Sequence, residues 1–431
     1  MFMNKVYNLK VFAMLAVMII SCHSTAKIDS ALKKSIESDT RLQIVKLKAE
    51  ALIQSGLNAG THYAEVWIRD MNTFIEPACK VGDRKMIREA LLVFFKFQGE
   101  DGNIVDGFIP RVDDKVSYDF RYSELAPEYK AHKNTVETDQ ESSLIQAIAK
   151  YIRVTGDKTI LNELIAGFTV EKRIDDALQF LLNKRFSKEY GLIWGATTAD
   201  WGDVQPEHIW GVVLDENSHL CIDIYDNAMF AIAIHEYINL IENKKRKKYW
   251  ENIHLNIVTN IRKHLWDESR QKFIPHVYLN GSPFPADFDE NAIYYHGGTA
   301  VAIETGILSK DEILASYRQM KHNVKEAGAQ SIGLTVYPPY PTGFFKNPSM
   351  YAYGYQNGGD WTWFGARMVQ QLLAYGFYKE AYEALSPMLD RVIEHNGFYE
   401  WWTPDGKPKG SGMFRGSAGV LWKAIEMISN L

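Results

Sequence analysis

One stretch of the chain combines acidic residues with tryptophans: "TTADWGDVQPEHIW" (197–210). Asp200 and Asp203 lie on either side of Trp201 in this stretch. A general acid needs a carboxyl that stays protonated near neutral pH, and a tryptophan wall and a nearby carboxylate both favour that state. The stretch is therefore either an acidic surface loop or one wall of a sugar-binding cleft that contains a proton donor.

A second carboxylate lies among aromatic side chains near the C-terminus, in "GFYEWWTPDG" (397–406). Glu400 follows Tyr399 and precedes Trp401 and a second tryptophan. A lone carboxylate among three aromatic residues is seldom plain surface, because it needs a partner or a role. Two widely separated carboxylates in aromatic loops suit cleavage of a glycosidic bond. One protonates the leaving oxygen, and the other activates water from the opposite face.

A third candidate is the Arg-Asp dipeptide in "WIRDMNTF" (67–74). Arg69 supplies a planar set of donors and Asp70 accepts hydrogen bonds from hydroxyl groups, next to the apolar ring of Trp67. The same dipeptide could instead form a buried ion pair at the start of a helix. The spacing alone leaves both interpretations open.

A fourth candidate is the acidic stretch "NTVETDQESS" (134–143), which precedes a long apolar segment. Acidic side chains in the first turn of a helix complement the helix dipole, and we favour this explanation for Glu141. Glu137 and Asp139 remain candidates for substrate binding.

Composition excludes some classes of partner. The net charge is -5, from 48 basic and 53 acidic residues, and no run of Lys and Arg with interleaved aromatics indicates nucleic-acid binding. No Cys/His cluster has zinc-ligand spacing. The glycoside hydrolase hypothesis given below implies no metal or organic cofactor. Cys79 and Cys221 are two thiols whose pairing the sequence leaves open. The 11 Trp and 23 Tyr indicate either a large helical core or a carbohydrate cleft.

The N-terminus has the pattern of a secretory signal. "MFMNKVYNLK" has two Lys and no acid, and "VFAMLAVMII" is an apolar run too short to span a bilayer. The following "IISC" resembles a bacterial lipobox, in which Cys22 carries the lipid; the alternative is a plain secretory signal with Cys22 incidental. We therefore predict a signal peptide over 1–21, a polar tether over 22–40 and a protein attached to the membrane of a bacterial cell envelope by a lipid anchor.

The elements that must position these residues are predicted to be helices. Apolar residues recur at three- and four-residue spacing in six segments: 83–99, 141–157, 227–245, 246–266, 365–395 and 417–431. Long polar and aromatic loops separate them, and loops of that length are uncommon unless they are functional. No strand-rich block is present. We predict one all-α domain over 41–431, a toroid with about a dozen helices in two concentric rings; the resemblance described next implies that this is a catalytic (α/α)6 toroid.

The motifs in these loops resemble the six-hairpin (α/α)6-barrel glycosidases. That superfamily includes glucoamylases, the glucosidase part of glycogen debranching enzymes and the cellobiose-phosphorylase-like enzymes. The resemblance covers residues 60–431 in short islands that follow the superfamily's loop order. "WIRD" is similar to the segment that holds the non-reducing sugar, which implies this role for Arg69 and Asp70 with Trp67 beside them.

Two islands imply catalytic roles. "ADWGD" looks like the "DWND" of the disaccharide phosphorylases, in which the second Asp donates the proton, and this implies Asp203 rather than Asp200. The chain has Gly202 where that motif has Asn, so one polar contact is missing. "GFYEWW" occupies the place of the catalytic-base Glu in debranching and glucoamylase-like enzymes, which implies this role for Glu400.

A further island implies substrate contacts. "YQNGGDW" (355–361) looks like the "YQNGG" segment of the same phosphorylases. The full set of predicted substrate-binding residues is Trp67, Arg69, Asp70, Glu137, Asp139, Asp200, Trp201, Tyr355, Gln356, Asn357, Trp361 and Trp401.

The resemblance implies an inverting, exo-acting glycoside hydrolase that removes a terminal sugar from an oligosaccharide, with an α-glucoside as the expected substrate. One alternative is a disaccharide phosphorylase, for which His296 with Gly297 and Gly298 is the best phosphate-binding candidate unless a helix begins there. A lyase or epimerase would use histidines such as His62, His208 or His296. A surface lipoprotein that binds sugar without catalysis is the non-enzymatic alternative.

Overall fold

The structure is a computed structural model that describes residues 28–113 and 119–431. The predicted signal peptide over 1–21 and the predicted lipid-bearing Cys22 lie outside the described residues. Thirteen α-helices form within the described ranges. In chain order they are α1 (Ser30–Ser38), α2 (Thr40–Gln54), α3 (Ile68–Val81), α4 (Arg84–Lys96), α5 (Gln140–Thr155), α6 (Val170–Lys184), α7 (Ile224–Leu240), α8 (Lys244–His264), α9 (His296–Glu304), α10 (Lys310–Ala327), α11 (Thr362–Ala374), α12 (Tyr378–Glu394) and α13 (Arg415–Ser429).

Twelve of these helices form two concentric rings. The inner ring consists of α3, α5, α7, α9, α11 and α13; each packs against the next, and α13 returns to α3. The outer helices α2, α4, α6, α8, α10 and α12 pack on the outside of this ring. The predicted (α/α)6 toroid is confirmed. Helix α1, within the segment predicted as a tether, packs against α13.

The residue pattern of each helix matches its ring. Helix α9 is buried at every position from His296 to Ile303, as a helix that is apolar or small on all sides should be. The outer helix α8 is largely polar and buries only Trp250, Ile257 and Ile261. The burial of a helix on all sides or on one stripe therefore distinguishes the inner ring from the outer ring.

Short antiparallel strands of two to five residues connect the helices. They are β1 (Val66–Trp67), β2 (Gly107–Pro110), β3 (Tyr129–His132), β4 (Leu164–Ile165), β5 (Phe168–Thr169), β6 (Phe186–Ser187), β7 (Leu192–Ile193), β8 (Gly195–Ala196), β9 (Leu220–Ile222), β10 (Trp266–Asp267), β11 (Lys272–Phe273), β12 (Val277–Tyr278), β13 (Tyr294–Tyr295), β14 (Val336–Tyr337), β15 (Tyr399–Trp402) and β16 (Pro408–Gly412). Strands β1-β2-β3 and β12-β9-β8 form three-stranded sheets, and the others pair in twos. Several of these strands lead into the first turn of an inner helix, where the candidate residues lie.

Two further features concern membrane crossing and the thiols. Among the described residues, no helix combines the length and the apolar character needed to cross a membrane. Cys79, in α3, and Cys221, in β9, are both buried and both free, so they form no disulfide with each other in this structure.

Candidate active site

A cavity of about 530 Å³ opens at the end of the toroid where the inner helices begin. Its volume lies within the range usual for ligand pockets. Nine residues predicted from sequence line it: Trp67, Arg69, Asp70, Trp201, Asp203, Tyr355, Gln356, Trp361 and Glu400. The two carboxylates predicted to be catalytic therefore face one cavity, although 197 positions separate them in the sequence.

Glu400 is held by two hydrogen bonds on strand β15. The pairing of β15 with β16 is irregular between Tyr399 and Trp401, and irregularities of this kind often re-aim a side chain beside an active site. The backbone N–H of Ser411 donates to Oε2 at 2.7 Å, and the hydroxyl of Tyr63 donates to Oε1 at 3.0 Å. Both donors stabilise the ionised carboxylate.

The environment of Glu400 brings the pKa of its carboxyl close to neutral pH. Its pKa is raised to about 7, chiefly by burial; the hydrogen bonds from Ser411 and Tyr63 oppose the rise, and the charge of Asp203 adds to it. A base with a pKa near the working pH is well matched to accept a proton from water.

Asp203 lies at the end of a tight turn. Gly202 has a φ of 107°, a conformation that other residues rarely adopt, and a Cβ atom there would lie 2.4 Å from the amide of Gln356. With glycine in place, Gln356 approaches closely and its Nε2 donates to Asp203 Oδ1 at 3.2 Å. The glycine that departs from the phosphorylase motif thus admits a polar contact to Asp203 from another loop.

Asp200 faces away from the cavity, towards the start of α9. The backbone N–H of Gly298 donates to its Oδ1 at 2.9 Å and to its Oδ2 at 3.0 Å. Asp200 is buried, which raises its pKa well above the ordinary value, and the N–H groups of Gly298 and Gly297 oppose that rise. The sequence leaves Asp200 two roles, holding a sugar hydroxyl or holding its own loop, and these contacts favour the second.

Arg69 and Asp70 lie in the first turn of α3, and both line the cavity. Arg69 also forms a buried ion pair at this helix start, so an ion pair and a place in the substrate cleft are compatible. Arg69 Nη1 lies 2.5 Å from Glu137 Oε2, 3.4 Å from Asp139 Oδ1 and 3.6 Å from Asp106 Oδ1. Glu137 and Asp139 are buried behind Arg69 and do not line the main cavity. They hold the guanidinium in place, so their predicted role as direct substrate contacts is replaced by an indirect one.

Asp70 and Asp106 are the acidic residues beside this arginine that reach the cavity. Burial raises the pKa of each to about 7, although the charge of Arg69 opposes the rise. Clusters of titratable groups with perturbed pKa values in a cleft are typical of functional sites.

The segment that begins at Tyr355 divides into two parts. Tyr355, Gln356 and Trp361 line the cavity, but Asn357 is buried and hydrogen-bonded to backbone groups. Its Oδ1 accepts from the N–H of Tyr340, and its Nδ2 donates to the carbonyls of Tyr340 and Met350. Asn357, predicted as a substrate contact, is thus a loop-holding residue.

Aromatic rings form one side of the cavity. The Trp201 ring centroid lies 4.9 Å from that of Trp361, 4.8 Å from that of Trp363 and 5.1 Å from that of Phe364. Trp401, predicted as a substrate contact, lies behind this side and packs on Tyr355 at 6.3 Å between centroids.

Eleven further residues line the cavity that the sequence did not single out: Tyr63, Asp106, Asp119, His132, Lys133, Trp210, Gly211, Val212, Val213, Trp363 and Phe414. Tyr63 lies four residues before Trp67, and Asp106 lies in "DGNIVDGFIP", one of the long polar loops between the predicted helices. Trp210 ends the stretch that contains Asp203.

The histidines considered for a phosphorylase, a lyase or an epimerase do not line the cavity. His62 is exposed, and His208 pairs with Asp215 at 3.3 Å. His296 is buried, with a pKa lowered to about 3 by burial and a contact of 3.0 Å to Asn323. In residues 28–113 and 119–431, no group of three His, Cys, Asp or Glu side chains could hold a metal ion.

Comparison with known proteins identifies the fold. No family model matches the sequence, and no curated protein matches it significantly. Among solved structures, the GH63 mannosylglycerate hydrolase from Thermus thermophilus in complex with Tris and D-glycerate superposes with a TM-score of 0.62 at 15% identity, over 88% of this chain and 99% of that one. The same hydrolase in complex with Tris gives a TM-score of 0.65 at 13% identity, again over 88% and 99%.

A second kind of enzyme shares the architecture. The rhamnosidase from Klebsiella oxytoca with rhamnose bound superposes with a TM-score of 0.59 at 12% identity, over 89% of this chain and 63% of that one. Identities this low show a shared fold and leave the reaction to be argued from the site. The chain has the six-hairpin fold that its sequence motifs implied.

Proposed function

We propose that the protein is an inverting, exo-acting glycoside hydrolase that removes a terminal sugar from an oligosaccharide. The observation that carries the proposal is the meeting of Asp203 and Glu400 in one aromatic cavity. The glycosidase fold of the structural neighbours adds support by analogy. A pair of carboxyl groups beside a sugar-sized cavity is the minimal equipment for hydrolysis of a glycosidic bond.

In this mechanism Asp203 is the acid and Glu400 is the base. Asp203 gives its proton to the glycosidic oxygen as the bond from that oxygen to the anomeric carbon breaks. Glu400 takes a proton from a water molecule whose oxygen attacks the anomeric carbon from the opposite face. The two hydrogen bonds that Glu400 accepts support the base role, because they favour its ionised form before the reaction.

The charges around the cavity support a neutral substrate. Among the described residues, five acidic side chains line the cavity, and the two cationic residues that line it are already paired. Arg69 is paired with Glu137, and Lys133 Nζ lies 2.9 Å from Glu141 Oε1. An anion such as phosphate or a uronate would therefore meet like charges.

The contacts of the segment considered for phosphate binding, together with the acidic lining of the cavity, weaken the phosphorylase alternative. The N–H of Gly298, in the segment considered for phosphate binding, is occupied by Asp200. Turnover that continues at the same rate in phosphate-free buffer supports the hydrolase, and a strict requirement for inorganic phosphate supports the phosphorylase.

The identity of the sugar is the finer part of the proposal. An α-glucoside is the substrate that the sequence motifs favour. The neighbours are named for mannosylglycerate and rhamnose, so the assay panel contains α-glucosides, α-mannosides and α-rhamnosides. Sugar-dependent thermal stabilisation without any product would support the alternative of a sugar-binding protein.

The experiment compares leaving groups. Asp203→Asn should lose at least about 100-fold in kcat/KM on a disaccharide but much less on a 2,4-dinitrophenyl glycoside, which needs no proton on leaving. Glu400→Gln should lose at least about 100-fold on both, since each requires an activated water. Asp405→Asn, an exposed carboxyl near Glu400 in the sequence, is the control. Near-parental rates in both variants would refute the assignment.

We also propose that the protein is anchored to the membrane through Cys22. The proposal rests on the apolar run and the "IISC" sequence at the N-terminus. In a bacterial host, Cys22→Ala should move the protein out of the detergent-extracted membrane fraction. A variant that stays there would contradict the anchor.

A further inference from the structure

A tryptophan lies exposed at the mouth of the cavity. Trp210 is 69% exposed, and its neighbours Ile209 and Val213 are 58% and 54% exposed. Trp210 and Val213 both line the cavity. An exposed apolar group beside a binding cavity is a common sign of a contact surface for a ligand.

The loop that carries this tryptophan, residues 205–215, is held by hydrogen bonds. Thr135 N–H donates to the carbonyl of Val212 at 2.7 Å, and Leu214 N–H donates to Thr135 Oγ1 at 2.8 Å. Gln205 Nε2 donates to the carbonyl of Val213 at 3.3 Å. The loop is thus tied to the segment that precedes α5, which also supplies Glu137 behind Arg69.

Two histidine-carboxylate pairs also hold the loop. His208 pairs with Asp215 at 3.3 Å across its base, and Glu207 pairs with His219, which immediately precedes β9. Glu207 and His208 thereby have a structural role, whereas sequence alone left their roles undecided. A fixed platform loses little conformational entropy when a ring binds on it.

The exposure of the lining residues orders the cavity from its closed end to its mouth. Trp361 and Trp201 are buried, and the Arg69 guanidinium is held among carboxylates at that inner end. Trp210 is at the solvent-facing side of the cavity, where the remainder of a substrate would extend once its terminal sugar occupies the inner part. The leaving group is therefore the portion that reaches Trp210.

The chemistry of the lining indicates what that leaving group is. Within residues 28–113 and 119–431, the cations that line the cavity are Arg69 and Lys133. They are paired with Glu137 and Glu141, so neither is available to a carboxylate on the leaving group. A flat apolar indole face suits the C–H face of a sugar ring, whose hydroxyl groups remain at its edge.

We propose that Trp210 is the stacking platform for a neutral pyranose ring in the leaving group. The substrate is then a disaccharide or a longer oligosaccharide, and not the glycoside of a small acid such as glycerate. This inference rests on the proposed hydrolase function and specifies its substrate on the leaving-group side.

The test compares substrates with and without a ring in the leaving group. The fluorides of α-glucose, α-mannose and α-rhamnose lack such a ring, and α-linked disaccharides of the same sugars supply it. For Trp210→Ala, the ratio of kcat/KM on the disaccharide to kcat/KM on the fluoride should fall about tenfold, the effect expected for losing one ring contact. Trp210→Phe should restore most of the ratio.

Phe168→Ala is the matched control, because Phe168 is also an exposed aromatic residue (56%) but lies in the β4–β5 hairpin before α6, away from the cavity. It should leave the ratio unchanged. An unchanged ratio in Trp210→Ala overturns the inference, and so does a wild-type preference for glucosylglycerate or mannosylglycerate over every disaccharide. If neither the fluorides nor the disaccharides are hydrolysed, the proposed hydrolysis of these α-glycosides is wrong; if fluorides are hydrolysed and disaccharides are not, only the pyranose leaving group is wrong.

Discussion

At the residue scale, the site depends on contacts between side chains far apart in the chain. The hydroxyl of Tyr63 reaches Glu400 across 337 positions of sequence. Burial raises the pKa of the Glu400 carboxyl to about 7, and the Tyr63 hydroxyl opposes that rise. The base should therefore be ionised above about pH 7 and protonated below it.

The first prediction concerns the pH dependence of the reaction. For the wild type, kcat/KM should fall as the pH drops through about 7, because Glu400 must be ionised to accept a proton. Tyr63→Phe removes a donor that favours the ionised form, so the acid limb should move to higher pH. The measurement is kcat/KM between pH 4 and 9 on an activated aryl glycoside.

Tyr399→Phe is the control, since it removes a neighbouring hydroxyl that makes neither of the hydrogen bonds to Glu400 described here. Its acid limb should stay at the wild-type position. A limb that also stays in place in Tyr63→Phe would instead assign the titration to Asp70 or Asp106, whose pKa values burial likewise raises to about 7.

Local sequence motifs predicted only part of this chemistry. Arg69, Asp203 and Glu400 each lie in a short motif whose residue types indicate a role, and all three line the cavity. Trp210 and Tyr63 join them through tertiary contacts that no local spacing encodes. Asp200 shows the opposite case: its residue type suits a sugar contact, yet its carboxylate is taken by a backbone N–H.

At the element scale, the start of α9 supports the turn that carries Asp203. A Cβ atom at Gly298 would lie 2.6 Å from Asp200 Oδ1 and 2.5 Å from Ile224 Cγ2, so this glycine permits the close approach. Displacement of Asp200 would shift the turn and with it Asp203, the proposed proton donor. The inner ring therefore supports the position of Asp203 through a helix N-terminus.

The second prediction is that Gly298→Ala disturbs catalysis and stability together. We expect a loss of at least about tenfold in kcat/KM, because small displacements of a catalytic group are costly, and a decrease of about 1–3 kcal/mol in the free energy of unfolding. Urea unfolding and steady-state kinetics provide the two measurements.

Gly397→Ala is the matched control for that substitution. Its added Cβ would meet Tyr399 at 3.6 Å, an ordinary contact, so activity and stability should stay near the wild type. Wild-type kinetics in Gly298→Ala would show that Asp203 does not depend on the contact between Asp200 and α9.

Helical periodicity predicted many of the helices but not every residue at which a helix begins or ends. The segments 141–157 and 246–266 match α5 and α8 within about two residues at each end. The segment 365–395 is two helices, because the chain turns between α11 and α12 at Gly376, which has a φ of 87°. The apolar spacing continues on both sides of this turn, so the pattern alone does not show the break.

At the scale of the whole molecule, the aromatic cavity opens at one end of the toroid, and charged side chains line a second cavity at the other end. All six inner helices contribute residues to this smaller cavity of about 200 Å³. Its charged residues are Glu76, Lys150, Arg153, Glu236, Glu304, Arg367 and Lys423. Ring closure by α13 against α3 joins the two ends of the domain and is a tertiary property that no single segment reveals.

The third prediction separates stability from activity. Arg367 is buried and pairs with Glu304 at 3.1 Å, so Arg367→Met leaves a carboxylate without its partner and should lower the free energy of unfolding by about 2 kcal/mol. The value is below that for a fully buried pair because Glu304 keeps 32% of its side chain exposed. The kcat/KM should stay within about twofold, since the pair lies at the end opposite the substrate.

Lys321→Met is the control for this prediction, because Lys321 and Glu383 form a pair with 52% and 44% of their side chains exposed. Its removal should cost less than about 1 kcal/mol. Equal losses in the two variants would show that the charged end contributes no more than ordinary surface pairs.

The central claim is that Asp203 and Glu400 hydrolyse a glycosidic bond by direct attack of water. The most direct measurement is a proton NMR time course of the first sugar released by the wild type from an α-linked substrate that it cleaves. A single displacement predicts that the β-anomer appears first and the α-anomer follows by mutarotation. Initial accumulation of the α-anomer would show a double displacement and would contradict the acid and base roles assigned to the pair.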